Sequence, residues 1–295
     1  MSSRGSICAL AALILLAAGC GGDSDQSPGS GAQPAGVTDP GPVHVHGLGV
    51  NPKDGALFVA SHTGLFRVPE GESTGTRVAD RFQDTMGFTV VGPDRFLGSG
   101  HPDSREDLPP FLGLIRSTDA GKTWDEVSLM GKSDFHMLEA SGKRVYGFGS
   151  DFETRSASFL VSSNGGNSWD ERDTPGPLVS LAIDPEDPER VVAAAERGLY
   201  SSDAAGKRWR KAGGEAGLLA WAKSGSLFLV DGRGRVNESD DEGRSWSETG
   251  EIGGQPAAFE AAGNDLYAAL HDGTIKLSTD GGRSWTARAT PPGPS

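Results

Sequence analysis

The segment STDAGKTW at residues 117–124 recurs four times along the chain, and these copies determine the architecture that we predict. Close copies are STDGGRSW at 278–285, SDDEGRSW at 239–246 and SSNGGNSW at 162–169, and a looser copy is SSDAAGKRW at 201–209. Five of the six tryptophans end these copies, at intervals of 37 to 45 residues: Trp124, Trp169, Trp209, Trp246 and Trp285. Repeats of this length are typical of chains built from successive copies of one supersecondary unit.

Each copy has the composition of a tight turn. Serine and aspartate side chains accept hydrogen bonds from turn amides, glycine adopts a positive φ, and tryptophan covers the hairpin. We align the copy at 201–209 with one inserted residue, so that the aspartate position of the five copies is occupied by Asp119, Asn164, Asp203, Asp241 and Asp280. We assign these residues and the five tryptophans a structural role and exclude them as catalytic candidates.

The segments between the turns predict the rest of the fold. Each repeat contains two further short apolar runs, separated by Gly, Asn, Asp and Pro, which indicate β-strands. This count gives six units, of which the first lacks the turn motif and the second is lengthened by PDSREDLPPF at 102–111. Four short strands repeated six times predict an all-β, six-bladed β-propeller over residues 43–295. An irregular β-sandwich is the alternative.

The repeated pattern Ser-x-Asp-x-Gly-x-x-Trp resembles the Asp-box, also called the bacterial neuraminidase repeat, and the resemblance covers residues 114–287. It implies that the motif closes the turn between the third and fourth strands of each blade. Chains of this kind resemble uncharacterised bacterial propellers described as glycosyl hydrolases or exo-sialidases. Asp-box propellers also occur in sortilin-type receptors and photosystem-assembly factors, which implies a protein-binding scaffold as a further alternative.

The N-terminal sequence predicts export. Residues 1–20, MSSRGSICALAALILLAAGC, combine Arg4 with an apolar run that is short for a membrane span, as in a signal peptide. The ending LAAGC resembles a bacterial lipobox, which implies lipidation of Cys20 and an extracytoplasmic protein anchored to the cell membrane. An ordinary secretory signal is the alternative. Residues 21–42 are rich in Gly, Ser and Pro and predict a flexible linker.

The net charge of −13 argues against nucleic acid as a partner. The only other cysteine, Cys8, lies in the predicted signal peptide, so we expect no disulfide in the exported domain. We expect a monomer.

The six histidines fall in two columns of the blade alignment. The column at the first strand contains His46, Met86, His136, Val179, Leu219 and Ala257, and the column after the second strand contains His62, His101, Ser150, Glu196, Gly232 and His271. His44 lies just upstream of His46 in GPVHVHGLGV at 41–50. Propeller geometry places both columns on one face, at the mouth of the central channel. The same pattern also fits short polar loops without a function.

These histidines are our candidate metal ligands: His44, His46, His62, His101, His136 and His271. Imidazoles supported by carboxylates suit zinc, copper or nickel, and the order of affinities favours copper where it is available. We therefore predict that the protein binds a ligand on this face, with a transition metal as the leading candidate. A glycan or another small ligand is the alternative.

Carboxylates in the same loops predict a competing enzymatic function. They are Asp84, Asp134, Asp151, Glu196 and Asp231, and a pair of them would suit glycoside hydrolysis. A sialidase also needs a tyrosine nucleophile and an arginine triad. The three tyrosines, Tyr146, Tyr200 and Tyr267, occupy packing positions of the repeat, and Arg67 in FRVP falls in a third strand. Neither the sialidase nucleophile nor the arginine triad is identifiable, so we assign no turnover.

Overall fold

Twenty-four β-strands form the regular structure of this protein in a computed structural model that describes residues 39–290. The predicted signal peptide with Cys20, and residues 21–38 of the predicted linker, lie outside the described residues. Among residues 39–290 no helix has the length and hydropathy needed to cross a membrane.

The strands form six sheets, which we call blades 1 to 6. Blade 1 contains β1 (Val45–Val50), β2 (Leu57–Ser61), β3 (Gly64–Val68) and β4 (Thr76–Arg77). Blade 2 contains β5 (Asp84–Gly92), β6 (Arg95–His101), β7 (Leu114–Ser117) and β8 (Asp125–Ser128). Blade 3 contains β9 (Ser133–Ser141), β10 (Arg144–Asp151), β11 (Ala157–Ser162) and β12 (Asp170–Arg172). Blade 4 contains β13 (Leu178–Ile183), β14 (Val191–Ala195), β15 (Gly198–Ser202) and β16 (Arg210–Lys211). Blade 5 contains β17 (Leu218–Trp221), β18 (Leu227–Val230), β19 (Arg235–Ser239) and β20 (Ser247–Glu251). Blade 6 contains β21 (Pro256–Ala262), β22 (Asp265–Leu270), β23 (Ile275–Ser278) and β24 (Thr286–Ala289).

Each blade is a continuous stretch of chain whose four antiparallel strands pair in sequence order. The first strands of neighbouring blades contact one another around the ring, so they form the wall of the central channel. The ring closes where blade 6 meets blade 1: the Arg288 guanidinium donates to the Pro69 carbonyl at 2.9 Å, and the Thr290 amide donates to the Ser73 carbonyl at 3.1 Å. The predicted all-β, six-bladed β-propeller is therefore confirmed.

The hydrophobic core is divided into six clusters, one at each junction between neighbouring blades. The cluster between blades 1 and 2, for example, packs Phe58 against Phe96 with ring centroids 4.7 Å apart. Both rings are fully buried, and burial of each contributes about 1.5–3 kcal/mol. Because each sheet packs on both neighbours, no blade can bury its apolar faces alone.

The repeated turns lie between the third and fourth strands of blades 2 to 6. In the first copy the Ser117 hydroxyl donates to Asp119 Oδ1 at 2.9 Å and accepts the Gly121 amide at 2.8 Å. Asp119 Oδ1 also accepts the Thr123 amide at 2.9 Å. The copies in blades 3, 5 and 6 repeat these bonds. In each of them the serine hydroxyl accepts the glycine amide and donates to the side-chain oxygen at the aspartate position, which belongs to Asn164, Asp241 or Asp280. These bonds satisfy the turn amides within the motif.

The blade 4 turn differs from the alignment that we predicted. Ser202 accepts the Gly206 amide at 3.0 Å, as the serine of the other copies does, and the spacing to Trp209 is unchanged. The aspartate position is therefore occupied by Ala204, and the copy contains no inserted residue. Asp203 instead forms an ion pair with Arg210 at 3.1 Å.

Candidate functional site

A β-bulge in the first strand places one residue of five blades at the channel mouth. The pairing of first and second strands shifts register at His46, Met86, His136, Val179 and Ala257. A bulged residue has no partner on the neighbouring strand, and the local bend redirects its side chain. All five residues in this bulge column line one cavity of about 270 Å³. The bulge explains why this column faces the channel.

Blade 5 has no such bulge. Leu218 pairs directly with Val230 and Leu219 with Leu229, so the strand stays regular. Leu218 therefore takes the place at the cavity that we predicted for Leu219, which is buried in the core.

Glycines in the second strands of blades 2 and 3 make room for the bulges. A Cβ atom on Gly149 would lie 1.8 Å from the Asp134 carbonyl oxygen, and one on Gly100 would lie 2.0 Å from the Asp84 carbonyl oxygen. Only glycine allows the two backbones to approach this closely. In both blades the residue held by this approach is an aspartate two positions before the bulge.

The first of two histidine–aspartate clusters spans the junction of blades 1 and 2. Asp84, at the start of β5, lies between His62 and His46: His62 Nδ1 is 2.8 Å from Asp84 Oδ2, and His46 Nε2 is 3.6 Å from Asp84 Oδ1. One ligand atom from each residue lies within 4.8 Å of the other two. We call His46, His62 and Asp84 the metal triad.

Two atoms of the metal triad are buried without a hydrogen bond. His46 Nε2 and Asp84 Oδ1 have no hydrogen-bond partner among residues 39–290. An unsatisfied buried polar atom costs about 1–3 kcal/mol. Burial lowers the pKa of His46, and this effect outweighs the raising effect of Asp84, so the imidazole is held in its neutral form.

The 3.6 Å between these two atoms fits a metal ion. Ligand atoms bonded at about 2.0–2.2 Å to a tetrahedral ion lie about 3.3–3.6 Å apart. Two imidazole nitrogens and one carboxylate oxygen form a common donor set for zinc and copper, and three protein ligands leave a position open. The metal triad therefore has the chemistry and nearly the geometry of a transition-metal site.

The second cluster spans the junction of blades 2 and 3. Asp134 Oδ2 lies 2.8 Å from His136 Nε2 and 3.3 Å from His101 Nε2, and only 3% of the Asp134 side chain is exposed. The Pro110 carbonyl lies 2.8 Å from His101 Nδ1. We call His101, His136 and Asp134 the ionic triad.

His101 is stabilised as a cation. Its Nε2 faces a carboxylate and its Nδ1 faces a carbonyl, neither of which donates a hydrogen bond, so the protonated ring is favoured. The bond to Asp134 is the main cause that raises the pKa of His101 to about 9. Burial raises the pKa of Asp134, but its bonds with His101 and His136 outweigh this and lower it to about 2. The bond to Asp134 also raises the pKa of His136.

The two triads are copies of one arrangement, one blade apart. Each contains the aspartate two residues before a bulge and the histidine at the end of the preceding blade's second strand. The bulge residue of that preceding blade is His46 in the first case and Met86 in the second. Met86 supplies no imidazole to the ionic triad. The second imidazole of that triad is His136, the bulge residue of blade 3.

The remaining candidate histidines lie at the junction of blades 6 and 1. His44 occupies the position of Asp84 and Asp134, two residues before a bulge, and His271 follows the second strand of blade 6. Both line a cavity of about 480 Å³ with His46. The rings of His44 and His62 are 6.4 Å apart. Neither His44 nor His271 contributes an atom to the metal triad.

Three of the five candidate carboxylates are not brought to the histidines. Asp231 forms an ion pair with Arg235 at 2.7 Å, and Asp151 accepts hydrogen bonds from Thr154 and Glu153 within its own loop. Glu196 is exposed beyond the end of β14. Among the predicted carboxylates, only Asp84 and Asp134 contact imidazoles.

The three tyrosines lie in strands of the blades. Tyr146 lies in β10, Tyr267 in β22 and Tyr200 in β15. The Tyr146 hydroxyl donates to the Pro188 carbonyl at 2.7 Å, and Tyr267 packs in the cluster between blades 6 and 1.

Sequence reasoning missed two carboxylates inside the channel. Glu139 on β9 and Glu260 on β21 come from blades 3 and 6, on opposite sides of the ring, and line the same cavity as His46 and His136. Burial, together with the charge of Glu260, raises the pKa of Glu139, and burial raises the pKa of Glu260 to about 8. A glutamate three residues after the bulge position, in the first strand of both blades, was the available signal.

Comparison with known proteins gives no family and no curated relative: no family model matches the chain, and no curated protein matches it. Solved structures do match. A gluconolactonase from Xanthomonas campestris is 15% identical with a TM-score of 0.62, over 78% of this chain and 84% of that one. A chain of the nidogen–laminin complex is 14% identical with a TM-score of 0.57, over 75% and 88% of the two chains.

An ancestral GH74 enzyme is also similar in structure. It is 14% identical with a TM-score of 0.54 over 85% of this chain, which spans only 39% of that enzyme. At these identities the likeness concerns the fold, and the neighbours include enzymes and a member of a protein complex. The comparisons therefore establish this chain as a β-propeller and leave its function to the chemistry of its own site.

Proposed function

We propose that this protein binds a divalent transition-metal ion, copper or zinc, through His46, His62 and Asp84. The observation that carries the proposal is the pair of buried, unpartnered atoms His46 Nε2 and Asp84 Oδ1, which lie 3.6 Å apart. A metal ion between them would satisfy both atoms and remove their desolvation cost. His62, whose side chain is 61% exposed, completes the set from the solvent side.

The ligand set is narrower than the six histidines of the sequence prediction. Both nitrogens of His101 already face acceptors, and His136 Nε2 faces Asp134, so the ionic triad is a poor competitor for the ion. We propose that His44 and His271 lie outside the coordination sphere. Asp84 would act as a ligand, and β5 holds it next to both imidazoles.

Glycoside hydrolysis is the competing proposal, and the GH74 fold neighbour is compatible with it. A catalytic pair of carboxylates needs one free acid and one free base or nucleophile. The two predicted carboxylates at the channel mouth, Asp84 and Asp134, are both engaged by histidines, which favours metal binding. A protein-binding scaffold remains compatible with the fold, because propellers serve all three functions.

Direct metal titration tests the proposal. The full chain, purified in detergent without a polyhistidine tag, is titrated with Zn²⁺ and Cu²⁺ by calorimetry, and bound metal is measured by mass spectrometry. His46→Ala and His62→Ala should each weaken binding by at least about tenfold, because each removes one of three ligands. His271→Ala, the same residue type at the blade 6 position that matches His62, should bind as the parent does.

Two results would overturn the proposal. One is a protein that binds neither ion, and the other is equal loss of affinity in His271→Ala and His62→Ala. Glycan hydrolysis that is abolished by Asp134→Asn and indifferent to chelators would favour the enzyme.

We also propose that the propeller works outside the cytoplasmic membrane, anchored by lipid on Cys20. The support is the lipobox-like ending LAAGC and the Gly, Ser and Pro-rich segment that follows it. Partition of the full chain into a detergent phase should be lost in Cys20→Ser. Equal partition of both proteins would contradict the anchor.

A further inference from the structure

We propose that the histidine-bearing face binds a small organic carboxylate, whose oxygens accept a hydrogen bond from His136 Nδ1–H and lie beside the metal ion of the metal triad. This inference rests on the proposed metal function and deepens it, since it names the ligand class of the same site. Its basis is the ionic triad, which metal binding leaves unused.

His136 presents the only free ring nitrogen of the ionic triad. Its Nε2 is held by Asp134 at 2.8 Å, and its Nδ1 has no hydrogen-bond partner in the described part of the chain. The side chain is 51% exposed and lines the cavity of about 270 Å³. Because the buried Asp134 fixes the other edge of the ring, the direction of the free nitrogen is set in advance.

His101 supplies a positive charge behind this donor. Its Nδ1 lies 2.8 Å from the Pro110 carbonyl and its Nε2 lies 3.3 Å from Asp134 Oδ2, so both nitrogens already face acceptors on the protein. When His136 is protonated, the ionic triad carries two positive charges and one negative charge. A net cation with one outward N–H is suited to an anion.

The metal ion decides whether the face attracts anions. Without it, the negative charges of Asp84 and Asp134 balance the positive charges of His101 and His136. Glu139 and Glu260 line the same cavity, and burial raises the pKa of both, which favours their neutral forms. His46 of the metal triad and His136 of the ionic triad line the same cavity of about 270 Å³, so a divalent ion on the metal triad would add two positive charges near the ionic triad. Anion binding should therefore strengthen when the metal is bound.

An apolar wall beside His136 favours an organic acid over an inorganic anion. Met86 and Val179 line the same cavity of about 270 Å³, and Val179 is 50% exposed despite its apolar side chain. The space accepts a group the size of a phenyl or short alkyl chain. A carboxylate with such a substituent would cover Val179, which bare phosphate would leave exposed.

The test uses benzoate and inorganic phosphate as probes on the full chain, with and without Zn²⁺. The zinc-loaded protein should bind benzoate at least about tenfold more tightly than the metal-free protein, and more tightly than phosphate. His136→Gln should lose at least about tenfold in benzoate affinity while its Zn²⁺ affinity stays unchanged. His271→Gln is the matched control and should behave as the parent does for both ligands.

Nitrogen-15 NMR of the histidine rings gives a readout that a structural effect would not reproduce. Benzoate should shift the His136 Nδ1 resonance and leave the Nδ1 resonance of His101, which bonds to Pro110, in place. Benzoate affinity that is equal in His136→Gln and the parent overturns the inference, as does tighter binding of phosphate than of benzoate. A parent protein that does not bind Zn²⁺ would instead overturn the proposed metal function. Failure of the carboxylate proposal and failure of the metal proposal are therefore distinguishable.

Discussion

His46 Nε2 and Asp84 Oδ1 lie 3.6 Å apart, and neither buried atom has a hydrogen-bond partner among the described residues. The arrangement costs stability in the metal-free protein, because each atom has given up water without a replacement. A metal ion in the space between them would satisfy both atoms.

Asp84→Asn should therefore stabilise the metal-free protein while it weakens metal binding. The new amide can donate to His46 Nε2, which recovers about 1 kcal/mol, or about 2–4 °C in Tm for a domain of this size. The same change replaces a charged ligand with a neutral one. Calorimetric melting with and without Zn²⁺ measures both effects.

The parent should melt at a higher temperature with Zn²⁺, and Asp84→Asn should show little of this rise. A variant that melts below the metal-free parent would show that Asp84 stabilises the fold by itself, and would remove the main support for a vacant coordination site.

Gly149→Ala should destabilise the protein and disorder the ionic triad. The added Cβ would lie 1.8 Å from the Asp134 carbonyl oxygen, so β9 must move and carry Asp134 with it. The overpacking should cost about 1–3 kcal/mol, measured by urea unfolding. Gly232→Ala is the control, because a Cβ there has no neighbour within 4 Å, and it should be close to neutral.

The repeats were enough to predict the propeller and the face that carries the histidines. A turn motif at blade-length intervals fixes the number of units, and antiparallel strands in sequence order fix which ends share a face. The blade 5 register was not predictable in the same way. Whether Leu218 or Leu219 faces the channel depends on a single bulge, which one sequence does not reveal.

The division of the site into two triads also needed coordinates. Asp84 and Asp134 occupy equivalent positions, and the sequence distinguishes their surroundings by His46 against Met86 in the bulge of the preceding blade. The further difference is the Pro110 carbonyl, which engages His101 and has no counterpart in contact with His62 among the described residues. That carbonyl belongs to the lengthened loop at 102–111, whose fold could not be derived from its composition.

The ionic triad should give a characteristic pH dependence of stability. The folded pKa of His101 is raised from 6.5 to about 9, so its contribution is complete below about pH 6.5 and is lost as the pH rises through 9. Asp134 is lowered from 3.8 to about 2, so its contribution is present above about pH 3.8 and is lost as the pH falls through 2. Both contributions are complete only between about pH 4 and 6.5.

His101→Gln should remove the alkaline part of this dependence. Urea unfolding of the parent should show a decrease in the free energy of unfolding between pH 6.5 and 9, and the variant should show a smaller decrease. His271→Gln should retain the slope of the parent. An unchanged slope in His101→Gln would mean that the His101–Asp134 bond does not form in solution.

Glu139 and Glu260 should destabilise the ring at alkaline pH. Burial and mutual repulsion raise the pKa of Glu139, and burial raises the pKa of Glu260 from 4.5 to about 8. When the pKa of a carboxyl is higher in the folded than in the unfolded state, the protein loses stability as the pH rises from the unfolded pKa to the folded pKa. Glu139→Gln should therefore raise Tm by a few degrees at pH 8.5 and by much less at pH 5.

Exposed Glu196→Gln is the control, with no change at either pH. A gain in Tm that is equal at both pH values would contradict the repulsion between the two carboxylates, because only an ionised pair can repel.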